Sequence, residues 1–328
     1  MTDVLFHDDF RAGFDTAARW QAGGDGIAAA SADGLAVRST GTDPATGEPV
    51  FTATRAPDAP GGGRGDHLKW TALVRHTARS GLPGFDLPPG GALTVDAVLA
   101  ARFPGTGRHP FGAAVADPAG DPRLAAAGLV VLDPVSRTVF DFLLTDTRVY
   151  ALYECLPPPG TDPAAPTAPT AATAPAAPAA PRRAAFSHAV PVAARTPGAW
   201  HRCAVRVDRS GTRVTWLLDG AEVLAVDRIG HRLPGRRHLL LDHGGEPGEP
   251  SRLGQLTAGL AVLTLLDGAG PDGRALVRLD AEPGFYADVR AGAPVPQAFV
   301  DEHSRPESRL FGAGAELRVR ELTVRGSA

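Results

Sequence analysis

The chain has 328 residues, 43% of them hydrophobic and 21% charged, with a formal net charge of −3. That supplies enough apolar material for one large core, and a single β-sandwich domain spanning residues 1–328 is the expected organisation. The near-neutral balance offers no basic face for phosphate, so nucleic acid is not an expected partner, and no apolar run reaches the ~20 residues of a membrane span. The chain opens MTDVLFHDDF, which has neither a basic n-region nor an apolar h-region, so a cytoplasmic location is expected. Candidate strands follow at 4–10, 35–39, 50–54, 68–75, 92–101, 128–132, 139–144, 148–154, 186–192, 200–207, 213–218, 222–226, 238–242, 256–266 and 316–325. Helical periodicity is confined to 121–127 and 300–308. Many short strands separated by Gly, Pro and Asp clusters predict an all-β sandwich or barrel.

Three connections interrupt that pattern. Residues 41–66 and 267–309 are long and rich in Gly and Pro. Residues 156–183 form a Pro/Ala/Thr tract with too little apolar surface to offset its ordering entropy, and this tract is expected to be a disordered insert between strands of one domain. Lys69 is the sole lysine against 32 arginines, which reads as codon bias rather than selection for guanidinium chemistry. Cys155 and Cys203 are expected to be two free thiols in a reducing compartment.

The most regular stretch is 200–226, AWHRCAVRVDRSGTRVTWLLDGAEVLAV. Its alternating runs are joined by Asp208-Arg209-Ser210-Gly211 and by Asp219-Gly220, a dipeptide in which both positions tolerate positive φ; three consecutive antiparallel strands are predicted. This stretch resembles the hairpins of concanavalin A-like lectins, glucanases and laminin-G-like domains. The opening Phe6-His7-Asp8-Asp9-Phe10, Phe14-Asp15-Thr16 and Trp20 is similar to the start of family 16 glycoside hydrolases. The run 315–324 sits where those folds return a C-terminal strand beside the first. The resemblance implies a concanavalin A-like jelly roll of two antiparallel sheets. It would also allow a calcium ion near Asp8 and Asp9, for which the residues themselves give no support; no metal and no cofactor are expected. The Glu-x-Asp-x-x-Glu or Glu-x-Asp-x-Glu strand of family 16 hydrolases is missing, which argues against their glycosidase chemistry.

Two constellations remain as candidate chemistry. If VFDFLLTDTRVYALYE closes through Asp146-Thr147, Val139 pairs with Glu154, Asp141 with Leu152, Leu143 with Tyr150 and Thr145 with Arg148. Phe140, Phe142, Leu144, Val149, Ala151 and Tyr153 then face the core, while Asp141, Arg148, Tyr150 and Glu154 share the other side. Asp141, Glu154 and Tyr150 are the candidate acid/base groups, with Arg148 and Trp70 as candidate ligand contacts; the competing reading of this face is a solvated sheet surface. His238 and Asp242 fall on one face of a strand by alternation and are further candidate ligand contacts, too few for a zinc site. The expected function is lectin-like binding of a carbohydrate or another small hydroxylated or aromatic metabolite on the concave face. The alternatives are an enzyme, such as a hydrolase, cyclase or isomerase, acting through the Asp/Tyr/Glu face, and a structural partner that uses its sheet face for assembly.

Overall fold

The computed structural model describes residues 2–52, 68–112, 115–156, 184–242, 244–265 and 311–327. Their strands are, in chain order, β1 (Thr2–Asp8), β2 (Trp20–Gly24), β3 (Gly26–Ser31), β4 (Gly34–Ser39), β5 (Gly41–Thr42) and β6 (Pro49–Val50). Next come β7 (Leu68–Val74), β8 (Phe85–Asp86), β9 (Ala92–Arg102), β10 (Ala126–Asp133), β11 (Thr138–Leu144), β12 (Arg148–Cys155) and β13 (Phe186–Ala194). The last are β14 (His201–Val207), β15 (Val214–Leu218), β16 (Ala221–Val226), β17 (Leu239–Asp242), β18 (Gln255–Leu263) and β19 (Glu316–Ser327). One sheet runs β16-β15-β14-β9-β19-β4-β3, with β1 also on β19; the second runs β17-β13-β12-β11-β10-β18-β7-β2, with β8 on β18. Both are antiparallel, and they pack face to face as a jelly-roll sandwich.

One continuous core fills the space between the sheets. Leu93, Val95, Val205, Trp216 and Leu317 meet Trp70, Phe140, Phe142, Tyr153 and Leu260 there. The Trp216 indole N–H crosses the core to donate to the Asp141 carbonyl at 3.0 Å, satisfying a buried donor that an aliphatic core cannot. The acidic pair near the N-terminus has a structural use as well. Asp8 accepts from the Trp20 indole and from the Phe10 backbone N–H, both at 2.8 Å, and lies 3.2 Å from Arg19.

Several sequence expectations change. The 121–127 stretch makes a turn and then enters β10; a 3-10 segment lies earlier, at Thr106–Arg108. The opposite edge strands β2 and β3 were not expected, because WQAGG and GIAAAS are poor in the β-branched and aromatic residues that mark strands. Residues 157–183 of the expected insert, and the expected helix at 300–308, lie outside the described residues. Cys155 and Cys203 are both buried free thiols.

Candidate functional site

The β11–β12 hairpin has the register read from its alternation: Val139 opposite Glu154, Asp141 opposite Leu152 and Leu143 opposite Tyr150, with the Thr145 N–H donating to the Arg148 carbonyl at 3.0 Å. Its outward face is neither open nor wet. Val139, Leu143, Tyr150 and Leu152 join Ala126, Ala189, Ala261 and Leu263 in a second buried apolar cluster. Asp141 lies on the same face, 6% exposed, and accepts the Val131 backbone N–H at 2.8 Å. Burial holds its carboxyl well above the usual carboxylate range; the Val131 bond works against that shift, and the charge of Glu154 adds to it. Glu154 is half-buried and accepts a hydrogen bond from the Ser187 hydroxyl. The two residues are diagonal neighbours, their Cα atoms roughly 7–8 Å apart by sheet geometry.

The other expected members of this face are committed elsewhere. The Tyr150 hydroxyl donates to the Gly120 carbonyl at 2.7 Å, and burial keeps the phenol protonated far beyond its ordinary range. Arg148 pairs with Asp117 at 3.0 Å on the exposed rim. Trp70, expected as a ligand platform, is 3% exposed within the inter-sheet core, its ring centroid 6.2 Å from that of Phe14. The reason is visible in its strand, where Ala72 and Val74 share its parity and also face the core.

His238 and Asp242 are not brought onto one face by alternation. Phe186 pairs with Asp242 and His188 with Leu239, so a bulge in β17 breaks the two-residue period between them. Asp242, 2% exposed, instead accepts from Arg232 and, at 2.9 Å, from the Gly244 N–H.

An open depression lies on the outer face of the first sheet, a groove of about 1040 Å³. It forms where β19 changes partner: Val319 pairs with Leu35 of β4, whereas Leu322 pairs with Asp8 of β1. Against β9, the register of β19 shifts between Val319 and Glu321. The bulge turns Arg320 and Glu321 to the same side, so the core-facing phase passes from Leu317 and Val319 to Leu322 and Val324. One wall is the β3–β4 hairpin. Gly34 there has φ +112°, and a Cβ on it would stand 2.1 Å from the Val319 carbonyl oxygen, so only glycine lets the hairpin tip lie against β19.

The half-buried indole of Trp200 lines this groove, with the Arg320 guanidinium 4.2 Å and the Arg318 guanidinium 5.2 Å from its ring centroid. Beside it, Asp219 sits at the first position of the Asp-Gly turn with φ 52°, followed by Gly220 at φ 88°, the positive values that the dipeptide predicts. Its carboxylate receives the Arg202 N–H at 2.8 Å and the His201 Nδ1 at 2.9 Å. Arg202 in turn is shared between Asp96 and Glu321, and Asp96 also binds Arg325. Arg318 and Arg320 stand outside this network: neither has a carboxylate partner among the described residues. Sequence reasoning treats Trp200 as a strand marker only. The signal for the rest is the spacing of Leu317-Val319 and Leu322-Val324, whose three-residue step marks the bulge.

Fold and geometry together define a two-sheet jelly-roll protein with a polar groove outside one sheet and a closed apolar face outside the other. Residues 7–328 match the family of unknown function DUF6081, and the chain belongs to that family. A curated relative, "Uncharacterized protein L829" of Acanthamoeba polyphaga mimivirus, is 27% identical over 279 residues, covering 62% of this chain; the match spans 63% of the relative's length. Among solved structures, the chain is similar to an endo-1,3-beta-glucanase from Streptomyces sioyaensis at 14% identity and TM-score 0.42, over 100% of this chain and 97% of that one. It is also similar to beta-agarase B from Zobellia galactanivorans at 10% identity and TM-score 0.43, over 99% and 94% of the two chains.

Proposed function

We propose that this protein is a non-catalytic carbohydrate-binding module that holds a saccharide in the groove over the first sheet, on the platform formed by Trp200, Arg318 and Arg320. The observation that carries this reading is the groove itself: open, built on a bulge, and combining a half-buried indole with convergent hydrogen-bonding side chains. Recognition of a sugar requires such a mixture, because its ring faces are apolar and its edges carry hydroxyls. A thermal-shift and titration screen against oligosaccharides tests the reading. Stabilisation of the wild-type protein that is lost in Trp200→Ala supports it, and binding indifferent to that substitution removes it.

A second reading, an enzyme acting through Asp141 and Glu154, is favoured by one observation: two carboxyls on one face, one dry and one half-exposed, have the divergent environments that acid/base pairs use. Ligand binding abolished by Glu154→Gln and untouched by Trp200→Ala would select it.

A further inference from the structure

Resting on the groove reading above, we infer that the ligand is an acidic saccharide, a sugar bearing a carboxylate, and that Arg318 and Arg320 are the residues that select its charge. The argument starts from which cations in the groove are already neutralised. Arg202 is held by Asp96 and Glu321, and Arg11 has Asp9 at 3.9 Å. Among the described residues Arg318 and Arg320 have no carboxylate partner, and both are exposed. Residues two apart on a strand face the same side, so alternation alone points Arg318 and Arg320 together; here both guanidinium groups meet a single indole, while the bulge adds Glu321 to that side.

That contact has a consequence for recognition. A guanidinium resting on an indole has lost much of its rotamer freedom before any ligand arrives. Arg318 donates from one Nη to the Gly198 carbonyl at 3.4 Å, which fixes it further and leaves its other N–H groups, and those of Arg320, at the edge of the ring. Two such forks beside one ring suit a planar carboxylate, which accepts paired N–H bonds. The same side chains would gain less from a neutral sugar, whose hydroxyls offer no charge. Of the four carboxylates on the groove wall, three are engaged, Asp219 by His201 and the Arg202 backbone, Glu321 by the Arg202 side chain and Asp9 by Arg11 at 3.9 Å, which leaves Asp33 at the β3–β4 tip against the two arginines.

The test is calorimetric titration of the full chain with three tetrasaccharides: tetragalacturonate, its fully methyl-esterified form, and laminaritetraose. Tetragalacturonate is expected to bind, to weaken at least tenfold on esterification, and to weaken at least tenfold in Arg318→Gln and Arg320→Gln. Arg79→Gln removes an exposed arginine paired with Asp86, outside the groove, and is expected to leave affinity unchanged, which separates a site from general charge attraction. Equal binding of the acid and its ester, or full affinity in both groove variants, overturns the inference. Laminaritetraose binding that needs Trp200 but neither arginine also overturns it while leaving the groove reading intact. Failure of all three sugars to bind ends both. A sulfated tetrasaccharide preferred over tetragalacturonate would refute the carboxylate assignment in favour of another anionic group.

Discussion

Asp141 offers the sharpest test of the interior. Its carboxyl is buried on the face it shares with Val139, Leu143 and Leu152, and it accepts the Val131 N–H at 2.8 Å. In the unfolded chain it loses its proton near the ordinary value of 3.8, whereas burial holds the native carboxyl to a higher pH. Between those two points the unfolded state sheds the proton and the native state keeps it, so native stability falls as pH rises and levels off above the native value. Each pH unit of separation costs about 1.4 kcal/mol. Asp141→Asn keeps an oxygen for the Val131 N–H and has no proton to lose. Its stability relative to wild type should therefore be close to zero at pH 4 and grow in its favour toward pH 8, with each kcal/mol appearing as about 2–4 °C in Tm. Asp141→Ala also has no proton to lose but leaves the Val131 donor unpaired in an apolar site, so it should lie about 1–3 kcal/mol below Asp141→Asn at every pH. Urea unfolding of the three proteins from pH 4 to 8 measures this. A difference between wild type and Asp141→Asn that stays constant with pH, or an Asn variant less stable at pH 8, would refute the desolvated carboxyl.

Two further outcomes follow from buried groups. Burial, and then the neighbouring charge of Arg232, lowers the His188 imidazole to about 4, so the native state resists a proton that the unfolded chain takes up near 6.5. Stability present above pH 6.5 should be lost as pH falls toward 4, by up to roughly 3 kcal/mol. His188→Gln, which keeps an acceptor for the Leu233 N–H, should flatten that acid limb, and an NMR titration midpoint near 6.5 would contradict it. The cysteines give a simpler readout. Both are buried, and burial raises the Cys203 thiol far above its usual range, so Ellman's reagent should find no reactive thiol in the native protein and two after urea; rapid native labelling of either would count against the core assignment.

What the sequence discloses depends on how much of the decision is local. The β11–β12 register follows from a two-residue turn and strict alternation, and the Asp219-Gly220 hairpin from a dipeptide that accepts positive φ, so both can be read without knowing the rest of the chain. The environment of a face is not local. Alternation places Asp141, Tyr150 and Glu154 together, yet it does not tell that Gly120 will take the Tyr150 hydroxyl or that the face will be buried. The bulge in β17 defeats alternation outright, separating His238 from Asp242. The groove needs even more: a change of partner along β19, a glycine at position 34 and an indole from β14's leading edge converge from segments nearly 300 residues apart.

The two outer faces also show why a displaced acidity is weak evidence for chemistry when taken alone. Asp141 is the carboxyl most perturbed by burial, but its oxygens serve a backbone donor inside a sheet whose neighbours on that face are Val, Leu, Tyr and Ala; the shift records desolvation, which structural and catalytic carboxyls share. Arg318 and Arg320 are exposed cations without a carboxylate partner among the described residues, held on an indole in an open groove. A ligand needs access and convergent unsatisfied groups before it needs unusual acidity. On that criterion the bulged strand at the edge of the groove outranks the dry carboxyl at the centre of the opposite sheet.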